Sequence, residues 1–210
     1  MPRPSRNDYD GAWHHVMNRG AGGDTIFRDI LDRIIFLELL EAAAGRNQVA
    51  IHAYCLMGNH FHILLENRGG SVPKTMQELT GRFTRRMNAR SNRDGPIFRS
   101  RYHSVAVTTD PHLLLVSRYI HLNPVAAGLC RRVEDWQWSS AQAYLGVLAE
   151  PAWLATVSVL ELFEPPARLA YAQFLAAGID DLTTAFYSRE RLGSVFELGL
   201  GVRHLRAGSA

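Results

Sequence analysis

The chain has 210 residues, 47% hydrophobic and 20% charged, with a formal net charge of +3. That length allows one well-buried domain with an appendage, or two small domains. No run approaches the roughly 18 apolar residues of a membrane span, MPRPSRNDYD at the start has no apolar stretch behind its arginines, and Cys55 and Cys130 lie outside any CxxC. A membrane protein, a disulfide framework and a cysteine-rich zinc site are therefore excluded, and a cytoplasmic location is the simplest expectation.

Taken in chain order, residues 12–17 (AWHHVM) suit a strand, followed by a glycine-rich turn from Gly20 to Gly23. From Asp29 to Ala44 apolar residues recur at Ile30, Ile34, Leu37, Leu40 and Ala44, and Gly45 stops this amphipathic helix. Residues 49–57 read as a strand, Gly58-Asn59 as a two-residue hairpin turn, and residues 60–66 as the returning strand. Ser71 and Pro73 mark the next helix, with Met76, Leu79, Phe83 and Met87 on one face to about Asn92. A strand over 101–107 follows. Asp110-Pro111 caps a helix through about Leu122, which Asn123-Pro124 is expected to stop.

The order β-α-β-β-α-β-α is that of an α+β, ferredoxin-like (split βαβ) fold. It has an antiparallel sheet, two helices on one face and the last helix free to lie across the other. The domain is expected to run over residues 1–148. Residues 149–210 form a small helical C-terminal extension of unknown role, with short helices at 151–163, 165–177 and 189–200.

The charge is not evenly spread. Residues 82–101, RFTRRMNARSNRDGPIFRSR, hold Arg82, Arg85, Arg86, Arg90, Arg93, Arg99 and Arg101 against the single acid Asp94. A concentrated patch of arginine attracts polyanions and binds phosphate bidentately, although most charge runs are merely solvated helix faces.

Residues 54–66, YCLMGNHFHILLE, set His60 and His62 one residue apart on a strand. Both imidazoles then share one face, with Phe61, Ile63 and Leu65 on the other. Such a pair suits a divalent metal, and equally a hydrogen-bonded network on a polar sheet face. Tyr119 and Asn123, four apart on the last helix, also share a face. That helix can bring a phenolic oxygen and an amide oxygen to the same place.

Here the residues resemble a family. WHHVMNRG (13–20), YCLMGNHFHILLE (54–66), FRSRYHSV (98–105), RYIHLNPVAAGL (118–129) and WSSAQAY (138–144) are similar to the insertion-sequence-200-like single-tyrosine HUH transposases. Within that family they resemble the REP-associated tyrosine transposases. The likeness covers about residues 10–145, and one departure is Gly58, where the family usually has proline. It implies that His60, His62 and Asn123 are ligands of Mg²⁺ or Mn²⁺, and that Tyr119 is the nucleophile of a DNA-nicking and strand-transfer transposase. The implied partner is single-stranded DNA with hairpins, cut through a 5′-phosphotyrosine intermediate by a monomer or a homodimer. DNA contacts are expected from Arg82, Arg85, Arg86, Arg90, Arg99 and Arg101, and from His15 on the first strand, for which a structural role is an equal alternative. Tyr54 and Tyr102, within strands, are poorer nucleophiles, and His121 should face away from Tyr119. The rival functions are a hairpin-binding regulator that keeps the fold without the chemistry, and a metal-dependent nuclease that uses water.

Overall fold

The computed structural model describes residues 8–178. Four strands, β1 (Trp13–Arg19), β2 (Val49–Leu56), β3 (His60–Asn67) and β4 (His103–Val107), form one sheet in the order β2-β3-β1-β4, with every neighbouring pair antiparallel. Helix α1 (Ile30–Arg46) connects β1 to β2, and α2 (Val72–Ser91) connects β3 to β4. This is the split βαβ order expected from the sequence.

Strand alternation sends side chains to two cores. Val16, Ile51, Phe61, Ile63 and Leu65 pack against Phe36, Leu40, Met76, Leu79 and Phe83 of α1 and α2. Trp13, Ala53, Cys55 and Leu64 face the opposite way, onto Leu113, Val116, Tyr119 and Ile120 of α3 (Asp110–Ala126). The sheet is thus covered on both sides, with α3 spanning the face that carries the histidine pair. A bulge at His52 shifts the register between Ile51 and Ala53, so Ile51 and Tyr54 share a core although an odd number of positions, three, lies from one to the other.

Two expectations need correction. In α1 the buried side chains are Asp32, Ile35, Phe36, Leu39, Leu40, Ala43 and Ala44, while Ile30 and Ile34 are exposed. Apolar residues flank both sides of this helix, so the apolar spacing alone selects the wrong stripe. Helix α3 does not stop at Asn123. It begins after the N-cap Thr109 and runs through Pro124 to Ala126. Proline removes one backbone hydrogen bond near the end, and the helix closes beyond it with Ala127 N–H donating to the Asn123 carbonyl.

The described part of the C-terminal extension is not detached. Helix α4 (Ala141–Tyr144) of the preceding domain puts Tyr144 into the core of α3, and helices α5 (Val157–Leu160) and α6 (Ala167–Ala176) of the extension add Val159, Tyr171 and Leu175 to it. His121, on the side of α3 away from the histidine pair, is bonded to the Tyr171 hydroxyl at 2.6 Å and to Ser140 Oγ at 2.7 Å. Leu56 and Ala155 N–H groups bond to the Trp138 and Ile51 carbonyls, so the following chain also covers the edge of β2. The helix expected at 189–200 lies outside the described residues.

Candidate functional site

His60 and His62 open β3 just past the Gly58-Asn59 turn, where Met57 N–H donates to the His60 carbonyl. Their rings share one face, 5.1 Å apart and perpendicular. Across the sheet, Arg19 pairs with His60 and Met17 with His62. His15 is then the diagonal neighbour of His62, within reach on the same face.

Helix α3 brings Asn123 and Tyr119 over this face on successive turns. Asn123 Oδ1 lies 3.5 Å from His60 Nε2. The Tyr119 ring meets His62 edge-on, centroids 5.4 Å apart, and His15 at 6.0 Å. All four expected residues therefore converge. Tyr119, Asn123 and His62 are buried and His60 is half-buried. Among the described residues no three His, Cys, Asp or Glu side chains are grouped to hold a metal. The converging set mixes two imidazoles with an amide oxygen, a combination suited to a cation that accepts both nitrogen and oxygen.

His15 lies beneath the site rather than on its surface. It is completely buried, with Nε2 3.0 Å from His62 Nδ1. Burial, with His112 and His103 nearby, pushes its pKa down to about 3, so the ring is neutral. The DNA contact expected of it has no exposed surface to work through. Asn59, read from the sequence only as a turn residue, accepts a hydrogen bond from His60 Nδ1 through its Oδ1 at 2.8 Å. Its place beside a histidine in a tight turn was the available signal.

The other tyrosines are set aside. Tyr54 and Tyr102 point into the core of α1 and α2, and burial raises the Tyr54 phenol to about 12.

The arginine patch divides. Arg82 pairs with Glu78 at 3.1 Å, Arg86 with Glu38 at 3.8 Å, and Arg90 with Asp29 at 3.0 Å and with the buried Asp32. Three of the expected DNA-binding arginines are thus engaged by acids of α1 and α2. Arg85, Arg93, Arg99 and Arg101 are exposed and enter none of the ion pairs among the described residues. Arg85 lies on α2 and Arg93 just past its end, on the side of the sheet away from the histidine pair. Arg99 N–H donates to the Arg19 carbonyl, which places its loop at the end of the sheet where His60 stands.

The family described as "Transposase IS200 like" matches residues 10–123, a span that contains all four converging residues. Among solved structures, a REP-associated tyrosine transposase bound to a REP hairpin superposes with a TM-score of 0.60. It is 18% identical, over 74% of this chain and 92% of that one. A protein of Deinococcus radiodurans R1, named only provisionally as a transposase, gives a TM-score of 0.40 at 15% identity, over 64% of this chain and 98% of that one. No curated protein sequence is similar enough to count as a relative.

Proposed function

Since the chain belongs to the IS200-like transposase family, we propose that it cuts and rejoins single-stranded DNA beside hairpins. Tyr119 is the nucleophile, and His60, His62 and Asn123 hold Mg²⁺ or Mn²⁺. One observation carries this reading: two strand histidines meet an amide oxygen and a phenol from a helix on the far side of the chain. A hairpin-bound protein of similar fold supports the choice of substrate.

Imidazole nitrogens favour Mn²⁺ more than Mg²⁺ in such a mixed set. When bound, the cation supplies charge to the non-bridging oxygens of a phosphodiester. The chain's own contribution is position. Tyr119 Oη forms a bond to phosphorus while the P–O3′ bond breaks. The phenol loses its proton, the leaving oxygen becomes a 3′-hydroxyl, and a 5′-phosphotyrosine links protein to DNA. One ester replaces another, so a 3′-hydroxyl reverses the step and joins strands without a nucleotide cofactor. A single tyrosine per site cuts one strand at a time, which suits single-stranded substrates.

Tyr119→Phe tests the assignment. It removes one oxygen and keeps the ring against His62, so folding and DNA binding should survive. With labelled, hairpin-flanked single-stranded DNA and Mn²⁺, the parent should form a covalent adduct and the variant none. A variant that nicks as well as the parent would point to water as the nucleophile. A parent that binds the hairpin without cutting would point to a regulator.

A further inference from the structure

We propose that Asn59 and His15 are positioning residues that fix where His60 and His62 carry their protons, and so which nitrogen each offers to the cation. The proposal rests on the metal site assigned above. An imidazole binds a metal through a nitrogen without a proton, so its other nitrogen must carry one.

At His60 the answer follows from Asn59. The amide nitrogen of Asn59 donates to the Gly23 carbonyl at 3.2 Å, and the Gly20 N–H donates to the Asn59 backbone carbonyl at 2.8 Å. The first bond orients the amide and the second fixes the backbone of the turn, leaving Oδ1, which only accepts, facing His60 Nδ1 at 2.8 Å. His60 therefore holds its proton on Nδ1 and presents a lone pair on Nε2, towards Asn123 Oδ1. Two acceptors 3.5 Å apart repel each other, and a shared cation converts that repulsion into attraction.

His62 has two choices. The 3.0 Å contact between its Nδ1 and His15 Nε2 forms with the proton on either ring. Only a proton on His62 Nδ1 frees Nε2 for a metal, which assigns His15 the accepting role. His15 sits on β1 with no exposed surface, so its ring cannot swing out to water. Two acceptors from two different elements thus set the same nitrogen in both histidines.

Two measurements on metal-free protein, without DNA, decide this. Long-range ¹H–¹⁵N correlation of histidine-labelled parent should find the Nδ1–H form at His60 and His62. The Nε2–H form at His62 overturns the role of His15. Mn²⁺ titration by calorimetry should then show His15→Phe and Asn59→Leu each binding about 10–100-fold more weakly. His15→Gln, which returns an acceptor oxygen near the position of Nε2, should recover most of the loss. If His15→Phe does not fold, Asn59→Leu and the tautomer spectrum still decide. Should His15→Phe and Asn59→Leu bind Mn²⁺ like the parent while His62→Ala does not, positioning is refuted and the metal site stands. Should His62→Ala also bind like the parent, the metal site itself is refuted.

Discussion

At the scale of single residues, Asn123 and His60 illustrate how little contact the site needs. One amide oxygen of a helix is held 3.5 Å from one ring nitrogen of a strand across the sheet face. Asn123→Ala deletes that oxygen without opening the core around Ile120. Cleavage at limiting Mn²⁺ should fall by about tenfold or more, with saturating metal recovering part of it. Asn123→Asp supplies a charged oxygen at nearly the same place and should bind Mn²⁺ more tightly than the parent. Chelation should act in the same direction: dialysis against EDTA ought to remove cleavage and leave hairpin binding intact. Cleavage that persists after chelation would overturn the metal assignment.

At the scale of elements, α2 separates arginines that hold the fold from arginines that face outward. Arg90→Glu places a second negative charge beside buried Asp32 and should lower the melting temperature by several degrees. Arg85→Glu breaks no described ion pair and should leave melting unchanged, yet weaken DNA binding to every sequence and flatten its salt dependence. Equal melting shifts for the two variants would show that the division is not real.

The same elements show what could be read in advance. The hairpin and the two-residue spacing of His60 and His62 followed from period-two alternation, because a strand offers only two faces. Tyr119 and Asn123 followed from helical spacing, and the extension of α3 past Pro124 leaves that spacing intact. The α1 stripe was misread because Asp32 lies in the buried row while Ile30 and Ile34 lie outside it. Arg28 pairs with Asp32 locally at 3.1 Å, but no local pattern reveals that Arg90, 58 residues away, completes its neutralisation. His15 was legible as a strand residue but not as the partner of His62, since that contact depends on strand register, which no local pattern records.

At the scale of the whole molecule, one buried and one half-buried histidine link stability to pH. His121 and His112 are pushed down to about 3 and about 4, in both cases by burial. Between those values and about 6.5 the unfolded chain binds protons that the folded chain refuses, so stability rises with pH across that window. Their contribution is complete above pH 6.5 and declines as the pH falls towards 4. Thermal melts should show a lower melting temperature at pH 5 than at pH 7.5, and an equal or higher value at pH 5 would contradict this.

The two-sided covering of the sheet has a further consequence for the path of a bound strand. Tyr119 reaches the sheet from one side, and Arg85 projects from the helix layer on the other. A partition of backbone stands between the place of cutting and part of the basic surface. No straight polyanion touches both. A ligand that does so must turn around the end of the sheet, where Arg19, Arg99 and the Gly58-Asn59 turn form the corner. Curvature then becomes something the protein can select for. On the proposed reading, a folded-back strand should therefore bind more tightly than a rigid duplex of the same charge, which competition binding checks.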